Sequence, residues 1–277
     1  MITSISNNGI KNIIKLCTNA KARREQGVFV SEGIRMFNEA PLVCVKEVYI
    51  NESFHEKIFY NKESVKADIQ GEDRLRAICR EKLEKTGYTM VADQVFKKLS
   101  QTISPQGILC VIKQSRWELA QLTQEKEEAL HILVLEEIQD PGNMGTMIRT
   151  AEAAGYDLIL ASEGTVDVYN PKVIRSTMGS VFRVPVIYTE NLKTSLRFLK
   201  EKGVRIYAAH LRGKKDYDKI DYPGKMAVMI GNEGNGLSDM IADEADEYIK
   251  IPMKGKVESL NASVASALLM FNSVSVR

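Results

Sequence analysis

With 277 residues, 44% of them hydrophobic and 27% charged, the chain has the composition of one large or two ordinary globular domains, not of a disordered or fibrous protein. Its formal net charge of +2 neither demands nor excludes a nucleic-acid partner. Residues 1–112 carry a basic excess of four and the remainder an acidic excess of two, a bias that suits a phosphate-facing module and equally an ordinary solvated surface.

No apolar run reaches the roughly 18 residues a membrane-spanning helix needs. The start, Met1-Ile2-Thr3-Ser4, shows no basic stretch leading into an apolar one, so no secretory leader is expected. Cys17, Cys44, Cys79 and Cys110 form no CxxC pair. They read as free thiols of a reducing cytoplasm, with no metal site. His55, His131 and His210 lie far apart and show no ligand spacing.

The first 112 residues alternate helical and extended segments. Ile10, Ile13, Ile14 and Cys17 recur at helical spacing, predicting a helix over residues 10–20. Residues 27–30 read as a buried strand, after which Ser31 is expected to cap a helix reaching Ala40. Further strands are expected over 47–50, 88–91 and 107–112, with helices over 75–85 and 95–100. Residues 113–130 are polar and form the expected connection between domains.

From His131 the pattern is regular. Ile132-Leu133-Val134-Leu135 is continuously apolar, as in a strand covered on both faces. Strands at 132–135, 157–160, 184–187, 204–209, 226–230 and 247–251 alternate with helices at 143–154, 171–178, 192–202 and 260–274. That alternation predicts a mostly parallel sheet with helices on both faces.

Three polar, glycine-bearing blocks stand out against this frame. The first is Asp140-Pro141-Gly142-Asn143-Met144-Gly145 with Arg149 and Ala151; the second runs from Ile230 through Gly231-Asn232-Glu233-Gly234-Asn235-Gly236 to Ser238. The third is Ile251-Pro252-Met253 followed by Ser259-Leu260-Asn261-Ala262-Ser263. Each follows a predicted strand, where ligands of parallel sheets bind. Glycines permit close backbone approach to a ligand. The order Gly231, Gly234, Gly236 is GxxGxG and not the dinucleotide fingerprint GxGxxG, and no GxSxG, Walker A or HExxH motif occurs. A guanidinium at Arg149 suits a phosphate or ribose. Glu233 suits loop fixation, proton acceptance or ribose positioning, and Ser259 and Asn261 suit capping of the last helix or a ligand hydrogen bond.

Taken together the blocks resemble the SpoU (TrmH-like) family of RNA ribose 2'-O-methyltransferases in the SPOUT superfamily. The resemblance covers residues 131–277 and implies an α/β sheet with a deep trefoil knot, S-adenosylmethionine as cofactor, an RNA substrate and a homodimer in the cytoplasm. It implies cofactor contacts at Ala208, Ala209, His210, Gly231, Asn232, Ile251, Met253 and Leu260. It implies that Arg149 acts at the ribose hydroxyl, with Asn143, Glu233, Ser259 and Asn261 shaping the site. Asn232 departs from the family's pattern, in which a small residue commonly precedes the acid. Residues 1–112 are similar to the family's L30e-like RNA-binding extension, carried by Phe29-Val30-Ser31-Glu32-Gly33-Ile34-Arg35; Arg23, Arg24 and Arg35 are the phosphate-contact candidates. The extension favours 23S ribosomal RNA as substrate. Transfer RNA, or an RNA-binding protein of the same fold without activity, are the alternatives.

Overall fold

The computed structural model describes residues 1–60, 71–124, 126 and 128–275; Glu125 and Glu127 of the predicted connection lie outside the described residues. The chain forms two compact units. Unit 1 comprises Met1–Gln114 with Tyr169–Phe182, and unit 2 comprises Ser115–Val168 with Arg183–Arg277.

Unit 1 opens with α1 (Asn8–Thr18) and α2 (Ala20–Gln26). The spacing of Ile10, Ile13, Leu16 and Cys17 puts all four on the buried face of α1. Asn19 divides the two helices: its side chain accepts from Ala22 N at 3.0 Å and so starts α2 afresh. There follow β1 (Val28–Glu32), α3 (Ile34–Glu39), β2 (Val45–Asn51), α4 (Glu52–Phe59), α5 (Glu72–Thr86), β3 (Thr89–Val91), α6 (Asp93–Leu99) and β4 (Ile108–Lys113). The sheet runs β1-β4-β2-β3, with β4 antiparallel to β1 and β2, and β3 parallel to β2.

Ser31 does not cap α3. It lies inside β1 opposite Cys110 and is 1% exposed. Gly33 starts the helix instead, at φ +107°, where an added Cβ would stand 2.9 Å from Gln106 Oε1. Both the left-handed φ and the close neighbour call for glycine. The far end of α3 is closed by Lys82, whose ammonium donates to the carbonyls of Phe37, Asn38 and Ala40 and complements the helix dipole. The helix α4, absent from the sequence reading, is capped by Asn51, which accepts from Phe54 N at 2.9 Å. All four cysteines are free; burial pushes the Cys79 and Cys110 thiols up to about 12, so they are inert as nucleophiles.

Unit 2 begins with α7 (Leu119–Gln124), within the stretch expected as a connection. Next come β5 (Leu130–Leu135), α8 (Pro141–Ala153), β6 (Leu158–Ser162), then α9 (Pro171–Thr177), which belongs to unit 1, and β7 (Val186–Thr189). The chain continues through α10 (Leu192–Glu201), β8 (Arg205–Ala209), β9 (Lys215–Asp216), β10 (Lys225–Ile230), α11 (Asp239–Ala242), β11 (Glu247–Lys250) and α12 (Ala262–Ser275).

The seven strands run β7-β6-β5-β10-β8-β11-β9, and every pairing is parallel. Every residue of β5 is buried, which explains its unbroken apolar run. Leu196 of α10, Ile206 of β8 and Met229 of β10 join β5 in one core. The decisive feature is the place of β10. It follows β5 and β8 in the chain yet hydrogen-bonds to both. The loops leaving the carboxyl ends of β5, β8 and β10 are thereby neighbours, as at the ligand-binding switch point of an open parallel sheet. No helix among the described residues is long and apolar enough to cross a membrane.

Candidate active site at the carboxyl ends of the parallel strands

Local chemistry shapes each loop first. Asp140 caps α8 by accepting from Asn143 N at 2.8 Å, and Pro141 occupies the first helical position, where its missing N–H costs nothing. After β10 the chain doubles back through an Asn232↔Gly236 bridge. Gly231 is required there: a Cβ would lie 2.1 Å from the Gly236 carbonyl carbon. The Asn232 side chain holds the turn by accepting from Gly234 N at 2.9 Å and Asn235 N at 3.1 Å. Its amide also donates to Glu137 O at 2.8 Å, tying this loop to the one after β5. Glu137 has a φ of +52°, a conformation rare for a non-glycine residue and characteristic of functional loops. Ser238 adds a second tie, its Oγ donating to Glu136 Oε1 at 2.6 Å.

Glu233 joins the three sequence blocks. Its carboxylate accepts from Gln139 N and Asp140 N at 3.1 Å each, and from Asn143 Nδ2 at 3.0 Å. Asn143 in turn accepts from Asn261 Nδ2 at 3.0 Å. Asn261 caps α12, accepting from Ser263 N at 2.9 Å and Ser263 Oγ at 2.7 Å. Desolvation at the rim opposes ionisation of Glu233, but the donors from Asn143, Gln139 and Asp140 outweigh it and hold its pKa below the usual carboxylate range. Glu233 is an ionised clamp whose lone pairs are already engaged, which makes it a poor proton acceptor.

Beside the clamp lies a cavity of about 730 Å³, lined by the loops after β8, β10 and β11 and by Ala262, Ala265 and Leu269 of α12. The expected cofactor residues Ala209, His210, Gly231, Asn232, Ile251, Met253 and Leu260 all line it, as do Glu233 and Ser259. Ala208 does not. It is fully buried in the sheet core, because side chains alternate along β8 and its direction is inward. His210 Nδ1 accepts from Arg212 N at 3.0 Å, and its ring stands 5.1 Å from that of Tyr248. Burial and the Arg212 charge lower its pKa, so the imidazole is neutral with its proton on Nε2.

Arg149 stands apart. It is exposed on α8 and is not among the cavity-lining residues. Six residues beyond Asn143, it lies about 9 Å further along the helix axis and on a different face. The arginines expected at RNA also separate. Arg24 and Arg35 are exposed. Arg23 is only 3% exposed and donates from Nη1 to Leu16 O at 2.7 Å, so it holds α1 to α2 and is not available to a phosphate. The sequence reading missed Gln139, the wall residues of α12 and the Glu136–Ser238 tie. Gln139 adjoins the first block, but its part is played by a backbone N–H, which residue type does not reveal. Among the described residues, no group of three or more His, Cys, Asp or Glu is placed to hold a metal ion.

The geometry agrees with the chain's likeness to known proteins. Residues 130–271 match the SpoU rRNA Methylase family, and residues 7–110 match the MRM3-like substrate binding domain. The chain is 32% identical to the 23S rRNA (guanosine(2553)-2'-O)-methyltransferase RlmP of Bacillus subtilis, with 98% of each chain covered. Among solved structures, the AdoMet-bound rRNA methyltransferase from Sinorhizobium meliloti is similar at a TM-score of 0.79 and 28% identity, covering 98% of this chain and 96% of that one. A putative RNA methyltransferase of the TrmH family from Porphyromonas gingivalis superposes at a TM-score of 0.75 and 25% identity, covering 98% and 99%. With the family model matching residues 130–271 and a relative 32% identical over 98% of each chain, the chain belongs to the SpoU rRNA methylase family.

Proposed function

We propose that this protein is an S-adenosylmethionine-dependent RNA ribose 2'-O-methyltransferase that modifies large-subunit ribosomal RNA in the cytoplasm and works as a homodimer. The observation that carries the reading is the Glu233–Asn143–Asn261 clamp at the rim of the cavity, in a chain of this family. The cavity suits the cofactor. Its volume of about 730 Å³ is that of an ordinary small-molecule site, and Met253, Leu260 and Leu269 line it together with polar and glycine-bearing loops. In this reading residues 1–112 hold the RNA, 113–130 connect, and 131–277 form the knotted catalytic domain.

S-adenosylmethionine, when bound, supplies a methyl group already activated by its sulfonium. The chain's own task is to hold a ribose hydroxyl in line with that carbon and to exclude competing geometries. Orientation of this kind is worth on the order of several kcal/mol. The clamp contributes by fixing three loops with hydrogen bonds made in advance, so no reorganisation is required when substrate arrives. A guanidinium is a cation and a poor base, so Arg149 does not take the hydroxyl proton. Its part is to bind the hydroxyl and stabilise the negative charge that develops there.

We infer that Arg149, exposed on α8 and outside the lining of its own chain's cavity, serves the cavity of a second copy. Two features support a dimer. Arg149 makes no hydrogen bond or ion pair among the described residues. The helix α12, which packs on α8, leaves Val264, Leu268 and Phe271 exposed at 48%, 37% and 47%, an apolar stripe at helical spacing. The test is methyl transfer from tritiated S-adenosylmethionine into large-subunit ribosomal RNA of a strain lacking the gene, with transfer RNA in parallel. Label confined to transfer RNA, or no label at all, rejects the reading. Mixing an inactive Arg149→Ala protein with an inactive Gly231→Val protein tests the shared site, because heterodimers regain one complete centre.

A further inference from the structure

A second large cavity, of about 830 Å³, lies wholly within unit 1 and uses no residue of the clamp. Four cations line it, Arg35, Lys57, Arg76 and Arg175, against two carboxylates, Glu32 and Glu72. Both carboxylates are already engaged. Glu32 accepts from Ser100 Oγ at 2.6 Å, Thr102 Oγ1 at 2.8 Å and Gln101 N at 3.1 Å. Glu72 pairs with Arg76 at 2.9 Å. Arg35, Lys57 and Arg175 have no carboxylate partner among the described residues. They come from α3, α4 and α9, so three separate segments aim uncompensated positive charge at one concave wall. Gln106 also lines it; its carbonyl oxygen accepts from Ile34 N at 2.9 Å, leaving the amide NH2 without a partner among the described residues.

Three dispersed cations and a volume far beyond one phosphate fit a chain of phosphates better than a single small anion. A concave wall with apolar Ile34, Pro105 and Met178 admits splayed nucleotides and shuts out a rigid duplex. We propose that this cavity docks an unpaired stretch of the substrate RNA, with Arg35, Lys57 and Arg175 on phosphates and the Gln106 amide donating to a base edge or ribose. Arg175 is the informative member. It lies far along the chain from residues 1–112 yet completes their cavity, because Tyr169–Phe182 folds into unit 1. The proposal rests on the RNA-methyltransferase reading and adds where the substrate is gripped away from the reacting ribose.

The experiment measures binding of a fluorescein-labelled single-stranded RNA oligomer, and of its duplex, to the full chain across salt concentrations. Calorimetry with S-adenosylmethionine and thermal melts run alongside. Arg175→Glu and Lys57→Glu are each expected to weaken single-strand binding about tenfold and to reduce the salt slope by about 0.7, one phosphate's worth. Arg175→Lys should keep the slope. Lys11→Glu, an exposed cation outside the cavity lining, should change little. If cavity reversals bind RNA no worse than Lys11→Glu while S-adenosylmethionine still binds, the docking site falls and the enzyme reading stands. If the unmodified protein binds no S-adenosylmethionine, it is the enzyme reading that falls. Displacement of the RNA by low inorganic phosphate at constant ionic strength overturns the assignment in favour of a small-anion site, and equal effects on duplex overturn the claim for unpaired RNA.

Discussion

The two cavities are of similar size, about 730 Å³ and 830 Å³, and are built on opposite principles. The one in unit 2 is bounded by loops that side-chain hydrogen bonds lock across 90 and 118 residues of chain. The one in unit 1 presents three long cationic side chains, Arg35, Lys57 and Arg175, with no carboxylate partner among the described residues. A compact cofactor of fixed shape rewards a wall that is already in place. A flexible polyanion is attracted by charge at a distance and tolerates side chains that move. Substitutions should therefore act by geometry in the first cavity and by charge in the second.

The largest expected effect is at Gly231. Valine there would force side-chain atoms into the Gly236 carbonyl carbon, 2.1 Å from the ideal Cβ position. Binding of S-adenosylmethionine, read by calorimetry, should vanish while RNA affinity persists; loss of both would blur the contrast between the cavities. Next is Arg149→Ala, for which single-turnover methylation should fall about 100-fold or more while cofactor affinity holds, as expected for a group acting on charge in the transition state. Near-normal turnover would remove Arg149 from the site.

Asn143→Ala should be milder. It leaves Glu233 and the Asn261 amide each one partner short, at a cost of about 1–3 kcal/mol. Since both side chains belong to one chain of hydrogen bonds, Asn143→Ala and Asn261→Ala should be non-additive in kcat/KM. Strict additivity would mean the clamp is not a unit.

Acid gives a further test with a definite sign. The Glu233 pKa is lowered in the folded protein, so its clamp contribution is complete above the unfolded value of about 4.3 and fades as pH falls through the lower folded value. Cofactor affinity should be flat from about pH 5 upward as far as Glu233 governs it, and Glu233→Gln should lose whatever decline appears below that. The smallest effects separate two neighbours. Arg23→Ala should lower the thermal midpoint, at about 1–3 kcal/mol for the lost partner of Leu16 O, whereas Arg24→Ala should stay within about 0.5 kcal/mol.

Much of unit 2 was legible because parallel strands buried on both faces leave unbroken apolar runs, as at β5 and β10. The glycine-bearing loops were legible because Gly231 cannot be replaced where two backbones meet. Less was visible in unit 1. The helix α4 is short, and two buried residues, Phe54 and Ile58, make too brief a pattern to stand out. Ser31 looked like a cap because residue type carries no information on whether β4 will pair beside it. The role of Asn232 was unreadable as well: its side chain secures the loop through Glu137 O, a partner 95 residues away.

Sequence alone determined the strands other than the two-residue β9, which turns need glycine and which blocks carry polar chemistry, because periodicity and backbone sterics act over a few residues. Tertiary structure decided that β10 enters between β5 and β8 and brings the blocks together. It also decided that α9 completes the cavity of unit 1, and that Arg23 is buried while Arg24 is not. Those outcomes depend on which apolar faces find each other across the whole chain. Adjacent residues on a helix point about 100° apart, so only the packed neighbour settles which of them meets solvent.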